Sequence, residues 1–189
     1  MKNENYYFFA ATFDPLSYGD EPPISSVEFR ELCQKFLSKE DAAFLKFCYY
    51  DPKLCMETIK PTGSEFIDNF MQQERGFLEL LASLRAKKLG RNIEDSKEIN
   101  HSTFGDRVCK AASEMDDPLE AELYINKERW SALDELVNIS YFEVINIYTY
   151  LLKLQLLERK RFFYEAKGTE EYQILYNKII EKDTSSGNL

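Results

Sequence analysis

The chain is poor in the residues that interrupt helices, with only 7 glycines and 6 prolines in 189 positions. Long uninterrupted stretches follow, and these favour helices over a turn-rich scaffold. Histidine is nearly missing: the single His101 sits in a polar stretch without a recognisable partner, which removes the usual parts of a triad or a histidine metal site. Positive charge is scarce too, 24 Lys and Arg against 33 Asp and Glu, for a formal net charge of -9. That balance argues against nucleic acid and against anionic membrane surfaces, because both attract basic stripes. The four cysteines, Cys33, Cys48, Cys55 and Cys109, lack C-x-x-C spacing, so reduced buried thiols in a cytoplasmic setting are expected rather than disulfides. No run approaches the ~18 consecutive apolar residues of a membrane-spanning helix. There is no phosphate-binding glycine loop, so Gly63, Gly76, Gly90, Gly105 and Gly168 read as punctuation or close packing. The acidic residues Glu114, Asp116, Asp117, Glu120 and Glu122 lack the alternating pattern of a calcium loop and read as a solvated face. No catalytic residue, metal or cofactor is therefore expected.

What is present is apolar and aromatic. Hydrophobic residues make up 44% of the chain, which excludes general disorder and supplies one sizeable core or two small helical lobes. The N-terminal YYFFAATF at 6–13 is too short and too aromatic for a secretory signal and reads as a buried strand or the first turn of a buried helix. DPLSYGDEPP at 14–23 is an irregular connector, because its prolines and glycine interrupt helix and ladder alike. Ser25 and Glu28 then have capping-box spacing, and Ser38 and Asp41 a similar one, which predicts two short helices packed as a hairpin. Asp51-Pro52 and Pro61-Thr62-Gly63 bracket a brief element at 54–59.

From Ser64 the pattern becomes long and regular. Phe66, Ile67, Phe70, Met71, Phe77, Leu78, Leu81 and Leu84 recur at three- and four-residue spacings, one broad stripe facing a core. A helix over 64–89 would span roughly 39 Å and act as a strut, ending at Gly90 with Lys87 and Lys88 placed against its carbonyl end. The polar stretch 91–102 is the candidate link between two lobes. A shorter helix over 103–115 and another over 119–137, opened by Asp117-Pro118, come next. Ser140 and Glu143 open a second strut running to Phe163, Gly168 ends it, and a terminal helix from Thr169 carries Tyr172, Leu175, Ile179 and Ile180 on one side. The tail at 183–189 is expected to be frayed or truncated. The fold class is all-α: one helical domain over 1–189, an elongated bundle with two long struts and a short extended N-terminal segment.

Two basic clusters stand out on an acidic chain: Arg85, Lys87, Lys88 and Arg91 at the end of the first strut, and Arg159, Lys160 and Arg161 near the end of the second. They are candidates for docking a carboxylate-rich partner. The same residues are also explained by dipole compensation and pairing within the chain at exposed helix ends. The 12 Tyr and 14 Phe exceed what a bare core needs, and aromatic residues serve interfaces as well as cores.

The stretches YYFFAATFDPLSYGDEPPIS at 6–25, RGFLELLASLRAKKLGR at 75–91 and ERWSALDELVNISYFEVINIYTYLLKLQLLERKRFF at 128–163 together resemble a bacterial family found with V-type ATPase genes. Members of that family are similar to the C-type subunit of V/A-type ATPases, also called the d-type subunit. The first two stretches are moderately specific together; the third is largely a helix pattern. The resemblance implies a noncatalytic helical spacer that couples the central stalk to the proteolipid ring. Its partners would be stalk and ring subunits, and it would lie in the cytoplasm, peripheral to the inner membrane through a complex engaged in proton or other ion transport. It also singles out Arg85, in LRAK, as a residue pairing inside the bundle or facing the stalk. The chain is considerably shorter than the C-type subunit, which has three similar helical lobes, so a complete stalk socket is not implied. The alternative is an unrelated helical adaptor or regulatory scaffold binding protein partners through an exposed aromatic groove.

Overall fold

The computed structural model describes residues 6–90, 103–136 and 143–162. Among these the chain forms α1 (Tyr7–Ala10), α2 (Ser26–Phe36), α3 (Lys39–Phe44), α4 (Pro52–Glu57), α5 (Glu65–Lys88), α6 (Thr103–Glu114), α7 (Pro118–Leu136) and α8 (Val144–Phe162), with a 3-10 turn at Leu45–Phe47 and no strand. The all-α expectation holds. The candidate link at 91–102, His101, Arg91, Ser140, the terminal helix and the tail lie outside the described residues.

Helix starts follow local chemistry. The Ser25 hydroxyl accepts from the Glu28 amide, and the Glu28 carboxylate accepts from the Ser25 amide, each at 3.2 Å, so two donors that a helix start leaves without partners are satisfied together. A second carboxylate serves the same end: Glu158 of α8 accepts from the Ser26 amide and hydroxyl, both at 2.6 Å, placing negative charge at the positive pole of α2. Ser38 caps α3 on the Asp41 amide at 3.1 Å. Asp41, however, does not reach back to the Ser38 amide. Its Oδ2 accepts from the Ser38 hydroxyl at 3.0 Å and the Tyr6 hydroxyl at 2.5 Å, while the Tyr6 oxygen accepts from the Ser38 amide at 3.1 Å. Asp51 and Asp117 cap α4 and α7 on the Lys53 and Leu119 amides, both at 2.9 Å, ahead of a proline in each first turn. Gly90, at φ 68°, supplies the left-handed residue that follows α5.

Of the two readings of the N-terminal segment, a strand or the first turn of a helix, the structure has the helical turn and not the extended one. Tyr6 and Phe9 are buried, but Phe8 is 87% exposed. A strand would have needed a neighbouring ladder to satisfy its backbone, and a helical turn satisfies it locally, as the Ala10 amide does on the Tyr6 carbonyl at 2.8 Å. The two-strut picture also changes. α5 has 24 residues, about 36 Å, but α7 and α8 have 19 each, so three long helices share the role.

α8 occupies the centre. Leu151, Leu152, Leu154 and Leu156 are all fully buried although they point in different directions around the axis, as happens when a helix is covered on nearly every side. α2 covers one side and α7 another. The contacts of α2 and the following α3 run in opposite order along α8, from Ser26 on Glu158, through Phe29 against Tyr150 with centroids 4.8 Å apart, to the Asp41 carbonyl of α3 accepting from the Tyr148 hydroxyl at 2.8 Å. Phe9, Phe13, Phe29 and Phe36 stack or meet edge-on in the same layer, so the aromatic surplus is used here largely as core. The irregular connector is strapped down: the Tyr18 hydroxyl donates to the Leu123 carbonyl at 3.2 Å, its ring packs edge-on against Trp130 at 5.5 Å, and the Tyr150 hydroxyl donates to the Asp14 carbonyl at 3.0 Å. A second cluster gathers Phe77 and Leu81 of α5, Val108, Cys109 and Ala112 of α6, and Ile125 of α7.

All four cysteines are buried and free, and burial pushes each thiol up to about 12. Native protein at pH 8 is therefore expected to react with Ellman's reagent far more slowly than unfolded protein, which should release all four thiols. The sign for stability follows from the same groups. With the folded values raised above the unfolded ones, their contribution is complete below about pH 9 and lost as pH rises towards 12, so urea midpoints should fall progressively across that alkaline range.

Candidate functional site

Most of the charge among the described residues is on the surface, but three carboxylates, Asp51, Glu74 and Glu122, and three guanidiniums line one cavity of about 170 Å³ where α5, α7, α8 and the start of α4 meet. Local sequence explains how they arrive there. Glu74 lies within the α5 stripe, four residues after Phe70 and three before Phe77; Arg129 lies within the α7 stripe, midway between Ile125 and Leu133. Helical spacing therefore turns both charges inward with their apolar neighbours. A lone buried charge would be prohibitively costly, and each is the other's partner.

The pairing is bidentate. Arg129 Nε donates to Glu74 Oε1 at 2.9 Å and Nη2 to Oε2 at 2.5 Å, with both side chains 7% exposed. The guanidinium also lies over the rings of Phe77 and Tyr50, at 4.8 and 5.0 Å. Burial alone lowers the Arg129 pKa, but Glu74 and its two hydrogen bonds outweigh that and hold it above the ordinary value. Burial, reinforced by Glu74, pushes the Tyr50 hydroxyl well up, so it stays protonated.

At the other end of the cavity one carboxylate serves two helices. Glu122 of α7 accepts from Arg85 Nη2 of α5 at 3.0 Å and from Arg159 Nη2 of α8 at 2.9 Å. Pairing order along α7, Glu122 with Arg85 and then Arg129 with Glu74, shows that α5 and α7 run in opposite directions. α8 is likewise opposed, through Arg159 on Glu122, the Leu156 carbonyl on Asn126 Nδ2 at 2.8 Å, and Lys153 on Asp134. Glu122, expected to belong to a solvated acidic face, is instead the junction of three helices.

Burial pushes the Glu122 carboxyl up, but Arg85 and Arg159 together pull it below the usual carboxylate range. A lowered folded value means that this contribution is present above the unfolded carboxylate range and lost as pH falls through the folded one. The wild-type chain should thus lose stability on acidification below about pH 4.5, and Glu122→Gln should flatten that part of the profile while costing about 1 kcal/mol at pH 7, as read by urea unfolding across pH.

The seven basic residues singled out in the sequence separate on the structure. Arg85 and Arg159 meet on Glu122. Lys160 donates to the Tyr18 carbonyl at 3.0 Å and lies over its ring at 4.7 Å, while Lys88 reaches the Ser113 carbonyl at 3.4 Å. Lys87 and Arg161 are exposed, and Arg91 lies outside the described residues. Glu74, Arg129 and Tyr50 are absent from the candidates that the sequence suggests; the available signal is a charge inside an apolar stripe.

Among the described residues no cluster of His, Cys, Asp and Glu is arranged to hold a metal ion, and no helix is long and apolar enough to cross a membrane. The cavity chemistry is that of ion pairing: a carboxylate kept ionised by two guanidiniums braces helices and is poorly placed to donate a proton. Comparison of the chain with family models, curated proteins and solved structures gives no match.

Proposed function

We propose that this chain is a noncatalytic, stiff helical spacer akin to the C-type subunit of V-type ATPases, a component or accessory that helps couple the central stalk to the membrane ring. One observation carries the reading: the three stretches that resemble that family are knitted to one another. Phe13 of the first packs against Tyr150 of the third at 4.7 Å, Tyr18 against Trp130, and Arg85 of the second is joined through Glu122 to Arg159 of the third. Transmitting torque requires a body that resists deformation, and close packing supplemented by ion pairs across three long helices supplies that resistance. The chain would then sit at the cytoplasmic side of the inner membrane, held there by stalk and ring subunits. Purification of the intact V-type ATPase from native membranes is expected to bring this chain down with stalk or ring subunits, and the isolated chain should not hydrolyse ATP. Its absence from an otherwise complete complex overturns the reading.

One observation favours a second reading, a helical adaptor. Tyr7, Phe8 and Phe36 are 46, 87 and 59% exposed, and Phe36 stacks on buried Phe9 with centroids 4.8 Å apart, so the core's aromatic layer continues onto the surface. A photo-crosslinking residue at position 8 distinguishes the two: products with ATPase subunits support the spacer, and products confined to unrelated proteins support the adaptor.

A further inference from the structure

The cavity between α5, α7 and α8 has an imbalance that bracing does not use. Guanidinium groups donate hydrogen bonds and accept none. Inside the cavity the buried carboxylate oxygens are already engaged: Arg129 takes both oxygens of Glu74, and Arg85 and Arg159 take one each of Glu122, while the exposed Asp51 at the rim gives one oxygen to the Lys53 amide. Arg85 gives one of its N–H groups to Glu122, and its side chain is 54% exposed, so further donors at the cavity edge face solvent. A polar end where both oxygens of Glu122 are committed and Arg85 has donors to spare complements an acceptor-rich ligand. Below this polar end the wall is hydrocarbon. Leu81 and Leu78 lie one and two turns before Arg85, and Ile125 one turn after Glu122, all lining the same space. At about 170 Å³ the volume is comparable with the ~150 Å³ that admits a benzene-sized guest.

We infer that this cavity is a binding site for a carboxylate on a short hydrocarbon stem, its head beside Arg85 and Arg159 and its stem against Leu78, Leu81 and Ile125. Glu122 is the internal occupant that such a ligand displaces: it offers the same group to the same two guanidiniums, and withdrawing it leaves their charge for the incoming acid. The acid of this shape is a free small carboxylate or the end of a glutamate side chain. The site stands independently of the spacer reading, since it rests on the cavity and its donors and not on the resemblance.

The test is an NMR titration of the full chain with sodium butyrate, with butylammonium chloride and sodium chloride at matched ionic strength as controls. Butyrate should shift the Arg85 side-chain N–H and the Leu81 and Ile125 methyl signals saturably, and neither control should do so. Arg85→Gln, at a half-exposed position, should weaken butyrate about tenfold, the scale of one charge-assisted hydrogen bond, whereas Glu122→Gln should tighten it by removing the competing charge. Lys87→Gln, outside the cavity, should leave it unchanged. A short peptide with glutamate as its only charged side chain, blocked at both ends, identifies the source: tighter binding than butyrate assigns the site to a protein side chain, weaker binding to a free acid. Equal responses to butyrate and butylammonium, no saturable shift, or an Arg85→Gln affinity equal to wild type overturn the inference.

Discussion

Replacing Glu74 by leucine is expected to destabilise the fold by about 3–5 kcal/mol, the cost of leaving a buried charge without its partner. Arg129 is 6% exposed and lies over the rings of Phe77 and Tyr50, so little water is at hand to replace a lost partner. Because native domains hold only about 5–15 kcal/mol in total, this single change consumes a large share of the margin. A lower urea midpoint with an unchanged slope would report that loss as stability rather than as a change in the unfolded chain. The informative step is the second substitution. Glu74→Leu combined with Arg129→Met replaces both charges by apolar groups of similar size, and it should recover most of the lost stability, because desolvating two ions largely cancels their attraction. A double variant as unstable as the single one would show that the guanidinium's contacts with the aromatic rings, and not the ion pair, hold the site together.

Phe77→Ala is expected to cost a similar ~3–5 kcal/mol, by a different route. Phe77 is 1% exposed and stands where the second hydrophobic cluster meets the charged cavity, with its ring beneath Arg129 and 6.2 Å from Phe104 of α6. Truncation removes the ring's burial and leaves a void beside a buried ion pair, which water would then reach. Fluorescence from Trp130, which lies in the other hydrophobic cluster, provides a check on how far the damage spreads. Loss of the whole cooperative transition at one lower midpoint is the expected result. Two separated transitions would show instead that the clusters fold independently, despite sharing α5 and α7.

Much of the fold was legible in local pattern. Ser25 with Glu28, Asp51 with Pro52, and Asp117 with Pro118 mark helix starts because the capping partner lies within three residues. Gly90 marks the end of α5 for an equally local reason, a positive φ that other residues rarely adopt. The α5 stripe identifies its buried face, since three- and four-residue spacing alone decides which side chains share a side. The stripe on α8 was readable as apolar but not as central: leucines at 151, 152, 154 and 156 fit a wide face as well as complete burial. The one-turn α1 was ambiguous because four residues are too few for either period to declare itself.

The candidate site was legible only as separate basic clusters. Arg85 and Arg159 stood in different clusters, and Glu122 in an acidic run far from both in sequence. Nothing in their spacing states that one carboxylate joins them, because the joining depends on how α5 and α8 lie against α7. Glu74 and Arg129 carried a clearer hint, each a charge set in an apolar stripe, but the hint names a buried charge and not its partner.

By itself, then, the amino-acid sequence determined the helical class, most helix boundaries, the reduced character expected of four dispersed cysteines, and which faces would be apolar. These are consequences of interactions that act within a few residues. Only the tertiary structure decided that α8 is surrounded, that Tyr18 straps the connector to α7, that one arginine from each basic cluster closes on Glu122, and that a charged cavity remains where α5, α7 and α8 meet. Those outcomes depend on the relative placement of segments dozens of residues apart, and there each charge's partner is chosen by packing geometry rather than by its neighbours in the chain.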